Sequence, residues 1–272
     1  MISLIPVHDD NPTRRAPVVN WALIALNVVA FLLSPVADEV PLVSGPPTRA
    51  HVCEQLGFFR QWAAIPVELT RNDPIDERIE ATPRGCLAVE GDTGKIPVLS
   101  ALTAMFLHGG WLHLLGNMLF LMIFGNNVED RLGRFRYLLF YLGCGYVATY
   151  VFAFANPNSD ETLVGASGAI AGVLGAYLVL YPRARVTSLV PFLLFLPFRL
   201  PAWIVLGSWF LLQYAYVSGL AMAEGSNVAY LAHVAGFVAG IVGVIALGGL
   251  RDRREPPPPR FGLRSGPRSR GW

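Results

Sequence analysis

Six apolar stretches, near residues 17 to 36, 111 to 128, 136 to 155, 165 to 181, 201 to 221 and 228 to 248, restrict the folds open to this chain. A helix needs about 20 apolar residues to cross a bilayer, and most of these runs come close to that length. Composition points the same way, with 53% hydrophobic and 15% charged residues and a mean hydropathy of +0.47. A soluble domain of ordinary composition is excluded. The expected fold is therefore an all-α membrane protein with six transmembrane helices. Residues 17–248 form its one membrane domain, after an N-terminal segment 1–16. The first run follows Arg14 and Arg15 as a signal peptide would, but its length, its Trp21 and Asn27, and the absence of a clear small-residue cleavage pattern identify it as a retained span.

Basic residues near span ends stay on the cytoplasmic side, and here they alternate along the chain. Arg14 and Arg15, then Arg131, Arg134 and Arg136, then Arg183, Arg185 and Arg199, then the arginines from Arg251 to Arg270 occupy alternate segments. The intervening short loops, 156–164 and 222–227, contain no Lys or Arg. Both ends of the chain are thus expected in the cytoplasm, with the long loop 37–97 outside. Cys53 and Cys86 would there meet oxidising conditions, which makes a disulfide between them a testable hypothesis. Cys144 reads as an apolar filler. The tail 249–272, rich in proline and arginine, cannot build a core and is expected to be disordered. Residues 98–107 are apolar but too short to cross, and read as an interfacial or re-entrant piece. Lys95 is the only lysine, a bias towards arginine that suggests a GC-rich bacterial genome and hence a plasma membrane.

Polar side chains inside a span are costly, so each asks for a partner or a task. His113 and Asn117 in the second stretch, Ser167 at the start of the fourth and His233 near the start of the sixth stand out. All three stretches would run from outside to inside, which puts these residues at one depth, for His233 about 8 Å below the outer boundary. His113 and Asn117 are four residues apart and share a helix face. Ser167 sits among Gly165, Gly168 and further glycines, while His233 lies one turn before Gly236 and Gly240. Small residues let helices approach closely. Packing these two glycine faces together would bring an imidazole to a serine hydroxyl, as activation of a nucleophile requires.

These motifs, His113-Leu-Leu-Gly-Asn117, Gly165-Ala-Ser167-Gly168 and Ala232-His233-Val-Ala-Gly236-Phe-Val-Ala-Gly240, resemble the three motifs of the rhomboid family of intramembrane serine proteases, in the family's order. Glu129-Asp130-Arg131 is similar to its acidic-x-Arg element, and the resemblance covers about residues 100 to 248. It implies a six-helix rhomboid-like bundle. Ser167 would be the nucleophile and His233 the base, with the side chains of His113 and Asn117 and the Ser167 N–H as oxyanion donors. His108 also matches a family position, Gly165, Gly168, Gly236 and Gly240 would support the site, and Glu129 and Arg131 would be structural. The position four after the serine departs from members that place there a tyrosine packed on the histidine. Here it is Ala171, and what orients His233 is left open.

The function implied is a serine endopeptidase that cleaves transmembrane segments of single-span proteins within the bilayer, through a Ser/His dyad and an acyl-enzyme. No cofactor, metal or nucleic acid enters this reading; no Cys/His metal spacing is present. Asp160 and Glu161, close before the serine, read as a solvated loop. Two other readings are a non-proteolytic membrane-protein binder or chaperone, which retention of Ser167 and His233 opposes, and a transporter, which would more naturally show acids within spans and repeated halves.

Overall fold

The structure is a computed structural model that describes residues 4–40, 43–190, 195–220 and 229–249. The tail expected to be disordered lies, from residue 250 on, outside the described residues, as does the whole 222–227 loop. Helices dominate, and they fall where the apolar stretches lie: α1 (Val18–Leu32), α5 (Trp111–Phe120), α7 (Arg134–Ala155), α8 (Ser167–Leu180), α9 (Ala202–Val217) and α10 (Tyr230–Ala246). Helix α5 runs through a π turn, Leu121–Gly125, into α6 (Asn126–Leu132). Of these, Trp111–Leu132 and Arg134–Ala155 have the length and hydropathy of a membrane span, at 22 residues each, while the other four are shorter apolar helices. Many side chains facing outward are large and apolar, among them Leu115, Leu139, Phe154, Leu211 and Val242, a surface that water would not favour.

Helix α1 has no side-chain cap of its own. Glu129 supplies one from α6, accepting from the backbone N–H groups of Val19 at 3.1 Å and Asn20 at 2.7 Å, where a carboxylate suits the positive end of the helix dipole. The Asn20 amide donates to the Leu121 carbonyl at the π turn and accepts from Tyr137 Oη. Buried Asn20 is thereby satisfied on both sides, and α1 is locked to α6 and α7.

Helix α8 packs between α7 and α10 with no room for side chains at its glycines. A Cβ on Gly236 would strike the Gly168 carbonyl, one on Gly240 the Gly172 backbone, and one on Gly175 the Phe237 carbonyl. Toward α7, Gly168 and Gly172 meet Ala148 and Cys144 in the same way. Backbones in direct contact are what small-residue faces permit.

The expectation of an all-α protein is corrected by two small antiparallel sheets. Strands β1 (Ile5–Asp9), β4 (Arg185–Val190) and β5 (Leu196–Pro201) pair in the order β1-β4-β5, so the N-terminal segment joins the basic segment between α8 and α9. Asp9, the last residue of β1, is buried, accepting from Asn127 Nδ2 and Tyr177 Oη at 2.7 Å each. Burial raises its carboxyl above the usual range, partly offset by the Tyr177 hydrogen bond.

The 37–97 segment has structure of its own. It contains α2 (Arg49–Trp62), α3 (Pro66–Arg71) and a hairpin of β2 (Glu77–Thr82) and β3 (Gly85–Glu90). Thr48 caps α2 by accepting from the His51 N–H. Cys53 and Cys86 are disulfide-bonded, tying α2 to the hairpin. Lys95 Nζ pairs with Glu68 at 2.6 Å and donates to the Arg60 carbonyl at 2.8 Å. Burial holds the Lys95 amine below the usual range, with Glu68 acting against that shift. Helix α4 (Pro97–Ala104) overlaps most of the 98–107 piece expected to be interfacial, and buries Pro97, Ser100, Ala101 and Ala104.

Candidate active site

The chain enters α8 through a bend that it could hardly make without glycine. Gly165 has φ of +124°, a conformation open to glycine alone among common residues. Two anchors fix this approach: the Gly165 N–H donates to the Ala104 carbonyl at 2.9 Å, and Leu163 bridges to Ala64 in both directions. Ser167 is then the first residue of α8. Its N–H belongs to the first turn, whose donors have no partner within the helix.

The backbone contact between α8 and α10 sets the distance between two side chains. Ser167 Oγ and His233 Nε2 lie 2.8 Å apart in a hydrogen bond. His233 is in the first turn of α10, one turn before Gly236. Both line a cavity of about 690 Å³, together with His113, Asn117, Trp209 and Gln213.

His113 and Asn117, both on α5, line the same cavity. The imidazole of His113 abuts Gly165, where an added Cβ would come within 2.8 Å of Nε2. Asn117 is buried, and its Nδ2 donates to no acceptor among the described residues. His108 is 1% exposed and stands behind His113, with ring centroids 5.1 Å apart and planes near perpendicular. It does not line the cavity.

Ser167, His233, His113 and Asn117 therefore line one cavity, with the glycines serving as contacts and bends and His108 as backing. Two others were missed. Gln213 Oε1 lies 3.0 Å from His233 Nδ1, and the Trp209 ring is tilted 32° to the imidazole at a centroid distance of 5.9 Å. A glutamine inside an apolar helix was a signal of the kind that drew attention to Asn117. Among the described residues no group of three or more His, Cys, Asp or Glu side chains is placed to hold a metal ion.

Chemically, a hydroxyl hydrogen-bonded to a half-buried imidazole, with the Asn117 amide donor facing the same cavity, can attack a carbonyl and stabilise the resulting oxyanion. The comparisons with known proteins fit this chemistry. Residues 97–249 match the family model of the Rhomboid domain. RHOMBOID-like protein 7 of Arabidopsis thaliana is 37% identical over 182 residues, covering 62% of this chain and 53% of that protein. RHOMBOID-like protein 5 of the same plant is 29% identical over 170 residues, 61% and 52% of the two chains. Rhomboid protein 1, mitochondrial, of Saccharomyces cerevisiae is 32% identical over 158 residues, 55% and 41%. The alignments thus span about half the length of these curated relatives or less. With more than half of its residues inside the domain match, the chain belongs to the rhomboid family, membrane-embedded proteins that are generally intramembrane serine proteases.

Proposed function

We propose that this chain is an intramembrane serine endopeptidase with Ser167 as nucleophile and His233 as general base. The observation that carries this reading is the 2.8 Å hydrogen bond between Ser167 Oγ and His233 Nε2, formed in a cavity that also presents His113 and Asn117. Neutral His233 takes the serine proton as Oγ attacks the scissile carbonyl, then returns it to the leaving amine. Water hydrolyses the acyl-enzyme by the same relay. The Asn117 amide, the His113 side chain and the Ser167 N–H hold the oxyanion.

In this reading all six apolar helices cross the bilayer, both ends of the chain are cytoplasmic, and the segment 37–97 lies outside with the cavity near the outer face of a plasma membrane. The distribution of basic residues supports that orientation. The substrate is a transmembrane segment of a single-span protein, unwound near its outer end because a helix hides its carbonyls in hydrogen bonds.

The test is cleavage of a model single-span substrate in liposomes by wild type, Ser167→Ala and Asn117→Ala. Wild type should cleave and Ser167→Ala should not, while Asn117→Ala should lose about 10²- to 10³-fold in turnover, the usual effect of removing one oxyanion donor. Equal cleavage by wild type and Ser167→Ala removes the serine mechanism. No cleavage by any of the three, with the substrate still bound, would favour a non-proteolytic binder.

A further inference from the structure

The proposed dyad leaves open how His233 is kept in the one neutral form that can act as a base. Nε2 accepts the serine proton only if its lone pair is free, so the resting imidazole must carry its proton on Nδ1. In the other tautomer Nε2–H would donate to the Ser167 oxygen, and the hydroxyl could not be activated. Ala171 offers no polar group to decide the matter.

We propose that Gln213 is the positioning residue that selects the Nδ1–H tautomer of His233, with Trp209 fixing the plane of the ring; the proposal rests on the proteolytic reading of the same site. Gln213 Oε1 is 3.0 Å from His233 Nδ1, on the side of the ring away from Ser167. An amide oxygen can only accept, so this contact requires the proton on Nδ1 and leaves Nε2 free for the serine. Gln213 is 8% exposed and lines the same cavity as His233. Trp209 lies one turn earlier on α9, and its ring covers the imidazole at 5.9 Å. One residue limits rotation of the ring and the other limits its tilt, from a single helix face.

The choice of a neutral amide follows from the surroundings. A carboxylate in this place would favour the imidazolium more strongly, but a charge inside an apolar helix is costly. The amide supplies direction at little desolvation cost, much as asparagine orients histidine in the Cys-His-Asn arrangement of papain-like proteases.

The experiment uses the full chain in detergent micelles, with histidine labelled with nitrogen-15, and variants Gln213→Leu, Gln213→Glu and Ser167→Ala. In wild type the His233 nitrogen shifts should report a protonated Nδ1 and a bare Nε2, and Gln213→Leu should give a mixture of tautomers. With a single-span substrate, Gln213→Leu should lower kcat by about 10²-fold, within the range by which a positioned base contributes, with KM unchanged. Gln213→Glu, which keeps an acceptor on Nδ1, should recover most of that loss. A wild-type enzyme protonated on Nε2 would overturn the proposal without any variant. So would wild-type kcat in Gln213→Leu, or equal losses in Leu and Glu variants with an unchanged tautomer. Cleavage by Ser167→Ala at the wild-type rate would instead sink the Ser167 mechanism on which the proposal rests, while the nitrogen shifts would still report the effect of Gln213 on His233.

Discussion

Along α8 and α10 the two backbones touch, Gly236 against the Gly168 carbonyl and Gly240 against Gly172, whereas the 37–97 segment is held by the Cys53–Cys86 disulfide and the Lys95–Glu68 pair. In the first region nothing charged takes part. If these helices cross the bilayer as proposed, hydrocarbon around them removes the usual hydrophobic drive, and close packing of small residues must hold them together. In the second region the helices are more polar, and a cross-link and a buried ion pair take the place of a large core. The difference bears on chemistry. A position set by backbone contact tolerates almost no displacement, which is what a hydroxyl and an imidazole at 2.8 Å require, while the stapled segment bears on that distance only through the Ala64–Leu163 bridge that anchors the approach to α8.

The largest expected effect comes from breaking the glycine contact. Gly240→Val places a Cβ in the Gly172 backbone and should cost about 3 kcal/mol or more, with loss of substrate cleavage, read by thermal unfolding in micelles alongside the assay. Wild-type activity in a folded Gly240→Val protein would mean that the helices have room to separate without disturbing the site. Next comes the double change Cys53→Ser and Cys86→Ser. The cross-link spans 33 positions, and its removal should cost the segment about 3 to 4 kcal/mol in the chain-entropy picture, visible as faster hydrogen exchange in α2 and the hairpin. Cleavage should persist, and its loss would make the segment part of the site. The smallest effect is expected for Cys144→Ala, where a thiol packed against Gly172 is removed. About 1 kcal/mol of stability should go, with cleavage unchanged. A large loss of activity there would show that α7 also sets the serine's position.

The same contrast separates what could be read from the sequence and what could not. The meeting of Ser167 and His233 was legible because glycines at 168, 172, 236 and 240 announce where two helices can touch, and side chains in register with them must meet. Asn117 and His113 followed from their four-residue spacing. Gln213 is as polar and as deep in an apolar stretch as Asn117, so its burial was legible, but no spacing or glycine face in the sequence ties it to the second ring nitrogen of His233. Trp209 could not be distinguished from any other aromatic residue on an apolar helix. The β1-β4-β5 sheet was not legible because it joins residues near 5 and 190, and arginines in the later strands carry a topology signal that masks their strand pattern. The alternation in β4, with Val186, Ser188 and Val190 buried, was present all along. For Cys53 and Cys86 the compartment argument raised the disulfide, but their distance depended on the α2–hairpin packing, which local sequence did not reveal.

The central claim is that contact between two glycine-lined helices turns Ser167 into a nucleophile. Its most direct test is labelling of the purified protein with a serine-reactive phosphonate, with the modified residue mapped by mass spectrometry. The account predicts a single adduct on Ser167 that disappears in His233→Ala. An adduct on another serine, or undiminished labelling of Ser167 in His233→Ala, would contradict it.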